Sequence, residues 1–172
     1  KTAGSRPGVG YLGILHKMLG ASSARAAGEI LKSAPRAGAH TYWLADANEQ
    51  FDYETSPDRV MVRTAGHGAL CHTNHCIDPV HQRIEGEPAS PSSLARFERV
   101  SSILNEGNHT VDSLKALFSD RSDGLESINR YGEDEQGTAT NAVLIGIPAL
   151  KEAYACRGSA NRGRWIRLGF DD

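Results

Sequence analysis

The sequence predicts an α+β fold in which paired helices alternate with runs of antiparallel strands. Three observations carry this reading. Apolar residues recur at helical spacing between residues 12 and 31, and again between 94 and 118. Aromatic and β-branched runs broken by turn residues occupy 40–74 and 138–168. The order is two helices, four strands, two helices and three strands, which suggests stacked layers of helix and antiparallel sheet.

Each element has its own signal. Leu12, Leu15, Met18 and Leu19 share one helical face, and Gly20 stops that helix. Ser22 or Ser23 caps a second helix with Ala24, Ala27, Ile30 and Leu31 as its buried stripe, and Pro35 ends it. The pair reads as a helical hairpin, a scaffold feature by its pattern. Residues 40–45 and 51–55 read as a β-hairpin around Asp46–Glu49, where Asn48 can take a positive φ. Ser56–Asp58 is a turn, 60–64 a third strand, Gly66-His67-Gly68 a breaker and 70–74 a fourth strand. Pro79, Pro88 and Pro91 mark 77–91 as a loop. Residues 92–104 form a helix with Leu94, Phe97, Val100, Ser101 and Leu104 inward. Thr110 caps another helix carrying Val111, Leu114, Leu117 and Phe118. A long acidic loop at 119–137 precedes strands at 138–147, 153–157 and 165–168. No boundary stands out, so 1–172 reads as one domain.

Composition excludes several classes. At 172 residues, 39% hydrophobic and 23% charged, the chain can bury a real core. A net charge of −2 without a Lys/Arg run gives no case for nucleic acid. No apolar run approaches a membrane span, and the opening Lys1-Thr-Ala-Gly-Ser-Arg-Pro-Gly has no signal-peptide core. It reads as a chain joined mid-fold. Cys71, Cys76 and Cys156 are an odd set, which favours a reducing compartment, hence the cytoplasm.

The chemistry-bearing stretch is Cys71-His-Thr-Asn-His-Cys76. Zinc is the first idea. On a strand, however, Cys71, Thr73 and His75 face one way, and His72, Asn74 and Cys76 the other. Four ligands then cannot meet on one tetrahedral ion. Asn74 is poor strand material. Its amide offers two donors, which aimed at a developing oxyanion are worth about 3 kcal/mol; a local turn or cap role is the alternative. Ser93 and Arg96 are three apart at a helix start and face the same way. Ser93 can cap and Arg96 can bind a carboxylate, or the two simply belong to a capped, solvated helix. No Gly-x-Ser-x-Gly elbow, Walker loop or Gly-x-Gly-x-x-Gly motif is present. Cys156 reads as a small buried residue.

Four pieces together resemble the acyl-CoA:6-aminopenicillanate acyltransferase family, the C45-type N-terminal-nucleophile hydrolases. They are the helical hairpin, YETSPDRV at 53–60, GALCHTNHC at 68–76 and SPSSLARFERV at 90–100. The SSLARF piece also resembles the bile-salt hydrolases of the same superfamily. The resemblance implies a four-layer αββα sandwich. It also implies an N-terminal cysteine, exposed by self-cleavage, whose thiolate attacks an amide or thioester with the α-amine as base. By resemblance, Asn74 is the oxyanion-hole asparagine, Arg96 an active-site arginine and Ser56 a serine near the site. Family members carry the nucleophile upstream of the matched region, and this chain starts at Lys1. The family's later arginine has no clear counterpart near Gly132–Thr138.

The expectation is therefore the C-terminal portion of an amide hydrolase or acyltransferase. Asn74 and Arg96 are catalytic, and Ser93 and Ser56 contact a small-molecule amide or acyl substrate. A companion chain or preceding segment brings the nucleophile; no cofactor or metal is involved, and oligomers are allowed. Two rivals stand beside it: a non-catalytic domain of the same fold that binds a ligand or partner, and a zinc protein using the 71–76 cluster.

Overall fold

The computed structural model describes residues 4–66 and 68–170. The opening Lys1–Ala3 and the His67 of the glycine-flanked breaker lie outside the described residues. Among the described residues the fold is α+β, with five α-helices and two three-stranded antiparallel sheets. The chain divides into two compact units, Lys1–Ala89 and Ser90–Asp172.

The first unit runs α1 (Tyr11–Met18), α2 (Ala24–Ser33), β1 (His40–Ala45), β2 (Gln50–Thr55), β3 (Val60–Thr64) and α3 (Pro79–Ile84). Ser23 caps α2, its hydroxyl accepting the Ala26 N–H at 3.1 Å. In α1, Ile14 and Met18 are buried, whereas Leu12, Leu15 and Leu19 are exposed. The helix therefore presents a face rotated from the predicted stripe, with an i, i+4 pair inward. Ile14, Met18, Ala24, Ala27 and Leu31 pack with Tyr42, Phe51 and Tyr53. The β1–β2 turn needs no positive φ at Asn48, because among the described non-glycine residues that conformation occurs at Lys151. Instead Asp46 holds the turn, accepting the N–H groups of Asn48 and Glu49 at 2.8 and 2.9 Å. Buried Arg36 ties α2 to the β2–β3 turn, donating to the carbonyls of Leu31 (2.8 Å) and Ser56 (2.9 Å).

The sheet order is β1-β2-β3, with Tyr42 opposite Tyr53 opposite Val62, and Trp43 opposite Asp52 opposite Arg63. Period-2 alternation gives β2 two unlike faces. Phe51 and Tyr53 face the helices; Asp52 and Glu54 face the other way. All four are buried.

Residues 70–74 form no strand; the first sheet ends at β3. The local backbone is engaged by side chains instead of by a ladder. Arg63 Nη2 donates to the Cys71 carbonyl at 2.7 Å, and the N–H groups of Cys76 and Ile77 donate to Glu85 (3.0 Å) and Glu54 (2.5 Å). The predicted 77–91 loop contains α3, capped by Asp78 with Pro79 at its start.

The second unit runs α4 (Pro91–Leu104), α5 (Val111–Phe118), β4 (Ala142–Ile147), β5 (Glu152–Arg157) and β6 (Trp165–Gly169), with sheet order β4-β5-β6. Thr110 caps α5 in a reciprocal capping box with Ser113. Val143, Cys156 and Ala160 form the core with Phe118 and Trp165 against them. In α4 the buried residue is Ser93, and the predicted inward Leu94 is exposed. The cap of α4 is Ser90, whose hydroxyl accepts the Ser93 N–H at 3.2 Å.

Candidate functional site

In the first unit, the 71–78 loop and α3 cover the ionic face of the sheet. Two buried carboxylates of β2 organise them. Asp52 Oδ2 accepts from Arg63 Nε at 3.0 Å and from Arg63 Nη2, and meets His72 Nδ1 at 3.1 Å. Burial pushes the Asp52 carboxyl up, yet the His72 and Arg63 hydrogen bonds outweigh it and hold Asp52 below its ordinary value. The other ring nitrogen, His72 Nε2, lies 3.1 Å from Thr41 Oγ1 on β1. Glu54 accepts the Ile77 and Asp78 N–H groups and pairs with His81 Nδ1 at 2.7 Å. Arg59 donates to both oxygens of Asp78 at 2.9 and 3.3 Å.

A cleft of about 310 Å³ opens beside this network, lined by His40, Thr41, Glu54, His72, Asn74 and Cys76 among others. Asn74 is exposed on its wall. Thr73 Oγ1 and His75 Nδ1, on either side of it, are 3.2 Å apart. Burial, with the negative charge of Glu54 and Glu85, pushes the Cys76 thiol up to about 12. At neutral pH it is a protonated thiol and a poor nucleophile.

Because 70–74 is no strand, alternation does not keep Cys71, His72, His75 and Cys76 apart, yet no three of them bring ligand atoms together among the described residues. His72 is spent on Asp52 and Thr41, His75 on Thr73, and Cys76 sits by Glu85. Among the described residues, the His, Cys and acidic ligand atoms that converge within 4.8 Å are those of Glu54, Asp78 and His81. Those atoms are engaged by backbone N–H groups, by Arg59 and by one another. Cys71, Cys76 and Cys156 take part in no disulfide among the described residues.

Ser56 is buried in the β2–β3 turn, where its hydroxyl accepts the Arg59 N–H at 3.2 Å. It is a turn-holding residue and is not among those lining the cleft.

In the second unit, Ser93 is buried at the start of α4 and Arg96 is half-buried one turn on. Arg96 Nε donates to Ser92 Oγ at 3.3 Å, and Arg130 Nη2 donates to the same hydroxyl. Burial, then the neighbouring Arg130 charge, lowers Arg96 from its ordinary value, opposed by Glu126; a guanidinium stays protonated regardless. The backbone of Arg130 is fixed on several sides. Its N–H donates to Thr140 Oγ1, and its carbonyl accepts from Thr140 N and Ser159 Oγ, each at 3.0 Å. Two cations on one hydroxyl suit an anionic or strongly polarised ligand group. Arg130 was missed because it stands alone in polar sequence. Its one signal was position, two residues before the Gly132–Thr138 window.

A family model described as acyl-coenzyme A:6-aminopenicillanic acid acyl-transferase matches residues 14–161. The chain therefore belongs to that acyl-transferase family. No curated protein matches the chain. No helix among the described residues is long and apolar enough to cross a membrane.

Proposed function

We propose that this chain is the C-terminal part of an N-terminal-nucleophile enzyme that transfers or hydrolyses an acyl group held in a small-molecule amide or thioester. Asn74 donates its amide N–H to the developing oxyanion. Arg96, with Arg130 beside it, orients a polar group of the substrate, and Ser93 and Ser56 support the positions of α4 and of the β2–β3 turn. An N-terminal cysteine from a companion chain or a preceding segment attacks the carbonyl, and its own α-amine takes the proton. The complete fold is a four-layer αββα sandwich, working in the cytoplasm without a cofactor.

The observation that carries this reading is an exposed asparagine on a cleft wall, in a loop braced from below by buried ionic groups, in a chain of this family. The high thiol of Cys76 supports a nucleophile elsewhere. Apolar surface left open on each unit, such as Leu12, Leu19, Leu144 and Ile166, supports a further covering segment. The test is Asn74→Ala in the full-length natural protein, assayed against a panel of acyl amides and acyl thioesters. Turnover falls by about 10²–10³-fold if the amide stabilises the oxyanion; an unchanged kcat removes Asn74 from the mechanism.

A further inference from the structure

The residues flanking Asn74 are held from both sides by carboxylates, Asp52 and Glu54 of β2 and Glu85 at the end of α3. Upstream, the Asp52 carboxylate grips the His72 ring at 3.1 Å and the Arg63 guanidinium at 3.0 Å. Arg63 in turn donates to the Cys71 carbonyl at 2.7 Å. Two consecutive loop residues are thus fixed through a single anion. The His72 side chain is 3% exposed and Asp52 is fully buried, so the contact between them is shielded from water. The far edge of the His72 ring rests on Thr41 of β1, so the ring spans two strands. Downstream, Glu85 takes the Cys76 N–H at 3.0 Å, and Glu54 takes those of Ile77 and Asp78. Residues 73–75 form the short span between these anchors, with Asn74 at its centre.

We infer that Asp52 and His72 are positioning residues: the Asp52–His72–Thr41 chain, with Arg63 on Cys71, sets where the Asn74 amide points in the cleft. The inference rests on the oxyanion role proposed for Asn74 and deepens it. Neither residue need touch the substrate. His72 turns the Asp52 charge into a fixed ring orientation two residues before Asn74. An unbraced loop of Gly66, Gly68 and polar residues would not hold an amide to the tolerance that transition-state stabilisation requires.

The test uses the full-length natural protein and four variants. Asp52→Asn keeps the shape and removes the charge. Thr41→Val removes only the outer contact of His72, and guards against loss of fold in the first variant. Asn74→Ala reports the oxyanion donor, and Ser23→Ala lowers stability through the α2 cap, away from the cleft. Asp52→Asn is expected to lower kcat by about 10–10²-fold with KM little changed. Thr41→Val lowers it less, and Ser23→Ala lowers the Tm without changing kcat. In the Asn74→Ala background, Asp52→Asn costs little further, because both act through one amide. If Asn74→Ala lowers kcat while Asp52→Asn and Thr41→Val do not, or if the Asp52 and Asn74 losses multiply independently, the positioning role is overturned. If Asn74→Ala itself leaves kcat unchanged, it is the oxyanion reading that falls.

Discussion

Cys76 and Asn74 stand two residues apart on the same cleft wall, and their surroundings give them opposite chemical characters. The Cys76 thiol, pushed up to about 12 by burial, Glu54 and Glu85, has little thiolate at neutral pH. Iodoacetamide at about pH 8 should label it far more slowly than an unperturbed cysteine, whose thiol titrates near 8.5. Mass mapping of the alkylated peptides checks this, and rapid labelling of Cys76 would contradict it. The two histidines of the 71–76 cluster are thus engaged by other side chains and Cys76 is a protonated thiol, while Asn74 on the same cleft wall is an exposed amide. That distinction was legible in part. Side-chain chemistry alone marks an amide as a donor and marks Asn as poor strand material. It does not tell which histidine a distant Asp52 will grip. Arg130 was illegible for the same reason, since its meeting with Ser92 and Arg96 is made by the path of a loop with no periodicity.

At the scale of elements, α2 shows how tightly a helix can be set on a sheet. Gly28 is buried where the helix crosses Tyr53, and a Cβ added there would lie 2.8 Å from Tyr53 Cζ and closer still to its hydroxyl. In an exposed helix Gly→Ala stabilises by about 1 kcal/mol. Here overpacking of about 1–3 kcal/mol opposes that gain. Gly28→Ala should therefore lower the Tm in a thermal melt; a rise would mean that Tyr53 moves aside freely. The helices, their Ser23 and Thr110 caps and the two hairpins were readable from spacing and turn chemistry, because local signals dominate there. The supposed fourth strand was misread. Residues 70–74 have an acceptable strand composition, but Arg63, Glu54 and Glu85 engage the backbone of 71–77, and those partners are remote in sequence.

For the molecule as a whole, several carboxylates are held below their ordinary values. Arg59 does this for Asp78 and Arg121 for Asp134; in Asp52, His72 and Arg63 prevail over burial. A depressed folded-state value means that the folded chain stays ionised where the unfolded chain takes up a proton. The associated stability is complete above the unfolded carboxylate value and is lost as the pH falls through the folded one. The urea midpoint should therefore decline below about pH 4 as these carboxylates take up protons. An equilibrium unfolding series run downward from neutral pH checks it, and a flat profile down to about pH 3 would refute the linkage. The α+β class and the two antiparallel groups of strands were legible from the order of elements. The division into two compact units was not, since no composition shift accompanies the Ala89–Ser90 junction.

The two unlike faces of β2 constrain how this chain can go wrong. A strand with one buried face is already pinned, because a slip of one residue turns its whole core set to the other side. In β2 such a slip would drive Asp52 and Glu54 into the aromatic layer with Tyr42 and Met18, and strand Phe51 and Tyr53 among arginine and histidine. Both parities penalise the error, so the strand carries a two-sided check on its own alignment. The same property leaves it little room to drift: any tolerated change at 51–54 must suit one layer without spoiling the other, and a randomised library across those four positions should return few folded members.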